Sequence, residues 1–135
     1  MKTIDWKSLV YWGATILFSG LMLLSAAMYL TGAAAIREGL AHLGYPPYLL
    51  AILGTAKLLG APTLLQNRFL TLREWAYAGF AFDLIGATAS HLFSGDPLGV
   101  AIMPFGFLLL LAVSYGLKPA RAAATATFGR RAAIA

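Results

Sequence analysis

Cysteine is absent from the 135 residues, which excludes disulfides, thiolate metal sites and dithiol redox chemistry carried by the chain itself. Charge is scarce as well. Asp, Glu, Lys and Arg make up 11% of the sequence, against about 25% in a soluble domain. The two histidines and five carboxylates fall into no HExxH and no Glu-x-x-His spacing, so no metal site is expected. A net charge of +5 is no nucleic-acid footprint here, because no soluble domain exists to present a basic face, and no nucleic-acid partner is expected.

What is abundant is apolar surface. Hydrophobic residues account for 60% of the chain and the mean hydropathy is +0.77, so the bilayer is its expected solvent and first partner. Four stretches, Leu9–Ala34, Pro46–Gln66, Arg73–Phe93 and Pro97–Leu117, are long enough to cross a hydrocarbon core, which takes about 20 helical residues. Lys2 and Lys7 before the first stretch, and the small residues of "GAAA" after it, imitate a signal peptide. The apolar run exceeds the h-region length of about 7–15 residues, so it reads as a retained span.

The boundaries carry local signals. Asp96-Pro97 reads as an N-cap followed by proline at the first helical position, in a turn that makes spans three and four antiparallel neighbours. "TLRE" reads as a capping box opening span three, with Thr71 accepting from the Glu74 backbone and Glu74 reaching back to that of Thr71. Pro46-Pro47 opens span two, Pro62 and Pro104 are expected to bend spans two and four, and Pro119 closes the last. Tyr11 and Trp12, like Trp75 and Tyr77, fit an interfacial aromatic belt.

With four spans, the two termini and the loop between spans two and three share one side. That side holds Lys2, Lys7, Arg68, Arg73, Lys118, Arg121, Arg130 and Arg131, and the other holds Arg37 alone. The positive-inside rule therefore places both termini in the cytoplasm. The chain reads as one domain, residues 1–118, with a basic, disordered tail at 119–135 and no internal repeat.

Lys57 stands about ten residues, roughly 15 Å, from either end of span two, which is the bilayer midplane. Asp83 lies at a similar depth in span three. A lone charge there costs about 2.5–3.5 kcal/mol on insertion scales, so the two are expected to pair. Small residues flank both: Gly54 and Ala61 beside Lys57, and Gly79, Gly86, Ala87 and Ser90 on the face of Asp83, which reads as a packing face. The pair either fixes helix register or marks a ligand site or proton relay.

His91 lies about 12 Å beyond Asp83 along the helix, within reach of the same cavity through a water or a ligand. Glu38, with His42 near it, falls at the same end as a candidate for the cavity mouth, against the alternatives of a salt bridge to Arg37 or a solvated loop.

The segments "LAHLGYPPYLLAILGTAKLLGAPTLL" and "LREWAYAGFAFDLIGATASHLFSGDP" resemble the DoxX-like family of small bacterial membrane proteins, over about residues 10–118. The resemblance rests on Gly44-Tyr45-Pro46, Lys57, Glu74 to Gly79, Asp83 and Ser90-His91. It implies an all-α, up-and-down four-helix bundle in the bacterial inner membrane, crossing it several times. It also implies a membrane redox context, since the family takes its name from a subunit linked to thiosulfate:quinone oxidoreductase, while distant eukaryotic relatives look like assembly chaperones.

Three functions stay open. The first is a quinone- or lipid-like molecule bound in the interior, with Lys57 donating to it, Asp83 holding the lysine and His91 exchanging protons with the outer side. The others are a non-enzymatic assembly factor or subunit of a membrane complex, and a proton-linked transporter. Homo-oligomers or membrane-complex partners are compatible with each. No catalytic residue is assigned, and quinone is the one cofactor named.

Overall fold

A computed structural model describes residues 3–119, so the tail expected to be disordered lies almost wholly outside the described residues. Among these residues the secondary structure is all helical. The helices are α1 (Trp6–Leu30), α2 (Ala34–His42), α3 (Leu49–Leu65), α4 (Leu70–Phe93) and α5 (Leu98–Leu117).

α1 begins earlier than its hydropathy indicates, because the Asp5 carboxylate caps it by accepting from the Lys7 backbone at 3.2 Å. It also ends earlier. Gly32, at φ 66°, turns the chain out of the helix, and α2 follows as a separate amphipathic helix that hydropathy had not distinguished from loop. The ends of α2 and α4 are built the same way around Gly44 (φ 81°) and Gly95 (φ 74°). In all three the glycine N–H and the next N–H bond back to carbonyls of the last turn, a Schellman motif that needs a left-handed residue.

The two expected helix starts are corrected. α4 opens at Leu70 with Phe69 in the cap position and no side-chain cap, so Thr71 lies inside the first turn. The Gln66 side chain organises the preceding loop instead, its Oε1 accepting from the Arg68 and Phe69 backbones at 2.7 Å each. α5 opens at Leu98 with Pro97, not Asp96, in the cap position, because the Asp96 carboxylate is held elsewhere. Pro62 and Pro104 lie inside α3 and α5.

α1 packs against α3 and α5, and α4 against the same two, while α2 touches α1 only lightly. Four-residue connections at 66–69 and 94–97 make α3, α4 and α5 successive antiparallel neighbours. Phe18, Met22, Ala61, Leu64, Phe80, Leu84 and Leu111 fill the centre, with Phe18 and Phe80 edge to face at 5.2 Å. The outward faces are apolar too. Leu24, Leu59, Phe82, Ile102 and Met103 are each more than half exposed, a surface that water would drive to aggregate. α1 and α5 are each long and apolar enough to cross a membrane, and α3, at 17 residues, is roughly 26 Å long.

Candidate functional site

α3 reaches both of its neighbours through glycine. A Cβ at Gly54 would lie 2.8 Å from the Leu30 side chain of α1, and one at Gly60 would lie 2.9 Å from the Phe80 ring of α4. Lys57 sits between these contacts and is 6% exposed. Its ammonium is ion-paired with Asp83 Oδ2 and lies 5.3 Å from the centre of the Tyr29 ring. The ring face attracts the cation, so α1 contributes to holding a charge that α3 carries and α4 neutralises.

A cavity of about 220 Å³, open on one side, adjoins the pair. Ala56, Gly60, Ala76 and Gly79 line it together with Trp75 and both charged residues. Gly79 forms wall rather than contact, because a Cβ there would meet nothing within 4 Å. The same holds for Gly86, so the small-residue stripe of α4 is not the tight packing face its spacing indicates.

Lys57 has three N–H donors, and among the described residues only Asp83 accepts from it. Asp83 Oδ1 has no donor among the described residues. An oxygen-bearing ligand in the cavity would find both a charged donor and an acceptor.

His91 does not border this cavity. Its Nδ1 lies 2.7 Å from Asp96 Oδ2, and Asp96 Oδ1 lies 2.6 Å from His42 Nε2. One carboxylate thus clasps the ends of α2 and α4. Hydrogen bonds from His91 and then His42 hold the Asp96 carboxyl below its ordinary range. Tyr45 and Ser90, 2.6 Å apart, add a second tie between the same regions. Among the described residues no three His, Asp or Glu side chains are arranged to hold a metal ion.

Glu38 is also remote from Lys57. It lines a different cavity beside α2, and it forms no salt bridge to Arg37. Glu74 is ion-paired with Lys118, whose ammonium stands 3.6 Å from the centre of the Tyr115 ring. That pairing, across α4 and the end of α5, takes the carboxylate away from the capping role expected of it.

The sequence reading missed a buried polar chain. Tyr11 and Tyr77, expected in an interfacial belt, are 0% and 3% exposed. Thr15 Oγ1 donates to the Tyr11 carbonyl at 2.6 Å, which spends its proton. Ser114, 2.6 Å from Thr15, must then donate to it, and Tyr77, 2.7 Å from Ser114, must donate to Ser114. Tyr11, Thr15 and Ser19 recur every four residues on one face of α1, which was the available signal.

A sequence model of the DoxX-like family matches residues 13–114, which contain Lys57, Asp83 and the clasp. The chain belongs to the DoxX-like family. Membership and the apolar helices together make this DoxX-like chain a membrane protein. No curated protein and no solved structure matches it.

Proposed function

We propose that this DoxX-like protein is a multi-pass four-helix bundle of the bacterial inner membrane, both termini cytoplasmic, that binds a quinone- or lipid-like molecule beside Lys57 and Asp83 in a membrane redox context. The carrying observation is a buried ion pair with a free donor and a free acceptor at the edge of a 220 Å³ cavity. A cavity of about 150 Å³ accommodates benzene, so this one suits a single substituted ring whose tail leaves through the open side into lipid. The lysine donates to a carbonyl or anionic oxygen of the ring and Asp83 holds it in place. His91, committed to Asp96, takes no part.

Mass spectrometry and an ultraviolet–visible spectrum of solvent extracts from protein purified in mild detergent test this reading. A stoichiometric quinone, isoprenoid or similar molecule is expected, lost in Lys57→Met and in Gly79→Leu, which fills the cavity while keeping both charged residues. Bulk lipid alone, unchanged in both variants, would overturn ligand binding in favour of a non-enzymatic subunit or assembly factor. Proton-coupled flux in liposomes that Asp83→Asn abolishes would instead establish a transporter.

A further inference from the structure

A second charged cavity lies beside α2, away from the Lys57 site. It opens, at about 440 Å³, between α2 and the start of α3, lined by Arg37, Glu38, Leu40, Tyr45, Pro47 and Leu50 among others. Arg37 and Glu38 are both exposed. Among the described residues neither takes part in an ion pair or a side-chain hydrogen bond. As helix neighbours they point about 100° apart and do not face each other, so the cavity lining carries a guanidinium and a carboxylate, each uncompensated. The Arg37 stem lies beside the turn that leaves α1, its Cδ 3.6 Å from where a Cβ on Gly32 would stand.

A ligand complementary to that lining carries an anion and a cation a short linker apart. The remaining wall, Ala34, Leu40, Ala41, Tyr45, Pro47 and Leu50, is largely apolar, so the ligand also has an apolar part. We infer that this cavity binds an amino-phosphate headgroup, that of a phosphatidylethanolamine-type lipid, with Arg37 on the phosphate and Glu38 on the primary ammonium. Guanidinium suits phosphate because its planar fork can donate two parallel hydrogen bonds. Glu38 discriminates in two ways: a trimethylammonium headgroup has no N–H to give it, and a glycerol headgroup leaves the lipid anionic beside a carboxylate. The source is a membrane lipid because α2, with Leu40 as its one buried residue, is an amphipathic helix between the apolar helices α1 and α3. The site is separate from the Lys57 cavity and stands or falls without it.

The test is native mass spectrometry of the full-length protein in micelles doped with equal amounts of phosphatidylethanolamine, phosphatidylcholine and phosphatidylglycerol. Phosphatidylethanolamine is expected to be retained about tenfold over the other two, the factor that one charge-assisted hydrogen bond supplies. Glu38→Gln is expected to abolish that preference, and Arg37→Gln to lower retention of all three. Both side chains are exposed, so folding is not at stake in either variant. Equal retention of the three lipids by the unaltered protein, or an unchanged preference in both variants, would overturn the proposal. Displacement of the lipid by free O-phosphoethanolamine at comparable concentration would overturn a lipid as the source while keeping the amino-phosphate chemistry.

Discussion

Lys57 on α3 and Asp83 on α4 neutralise each other inside a membrane protein, with the lysine 6% exposed and the Asp83 side chain 20% exposed. Removing one member strands the other. Breaking a buried pair costs about 3–5 kcal/mol, whereas replacing both members by apolar groups of similar volume is about neutral.

Lys57→Met and Asp83→Leu are therefore each expected to lower the melting temperature in detergent sharply, and the double variant to recover most of the loss. A double-mutant cycle measures the coupling. Losses that simply add would show that the two groups contribute independently.

Gly60 and Gly79 line the same cavity and should respond oppositely to a methyl group. At Gly60 the new Cβ would lie 2.9 Å from a Phe80 ring that Phe18 already pins edge to face. At Gly79 it would meet nothing within 4 Å. Both substitutions gain the same helix propensity, about 1 kcal/mol, so that contribution cancels in the comparison. Gly60→Ala is expected to be less stable than Gly79→Ala by the overpacking cost alone, about 1–3 kcal/mol, as read from chemical or thermal unfolding.

The pairing of Lys57 with Asp83 was legible because helical rise is constant, and two opposite charges read about ten positions into antiparallel neighbours fall close enough in level to meet. Nothing comparable betrays α2. Nine residues with one buried side chain leave no sustained periodicity, and its start is set by the left-handed Gly32 rather than by hydropathy. The capping signals at Thr71 and Asp96 were lost to competition: Gln66 satisfied the loop before α4, and two histidines claimed the Asp96 carboxylate. Local motifs state what a side chain can do, and a distant partner decides which of these it does. Lys118, 44 residues beyond Glu74, is another such partner.

The clasp on Asp96 predicts a pH dependence with a definite sign. Its carboxyl titrates below the ordinary value of 3.8, so its contribution to stability is fully present above that value and is lost as pH falls through the lowered one. The difference in melting temperature between the unaltered protein and Asp96→Ala should persist at about pH 5 and vanish only below the usual Asp range, about 3.9. A difference that disappeared already between pH 6 and pH 5, roughly two units above that range, would contradict a depressed carboxyl.

The polar chain across α1, α4 and α5 is directional, and direction makes its members unequal. Thr15 spends its proton on the Tyr11 carbonyl, so protons run from Tyr77 to Ser114 to Thr15. Tyr77→Phe removes a donor at the head of the chain and leaves Ser114 still donating to Thr15. Ser114→Ala removes the acceptor of the buried Tyr77 hydroxyl, and a stranded buried polar group costs about 1–3 kcal/mol. Ser114→Ala should thus destabilise more than Tyr77→Phe, and adding Tyr77→Phe to Ser114→Ala should restore stability rather than reduce it further. Unfolding of the three variants under one detergent condition decides this. If Tyr77→Phe were the costlier single change, the proton order would have to run the other way, with Thr15 released from the Tyr11 carbonyl to donate to Ser114.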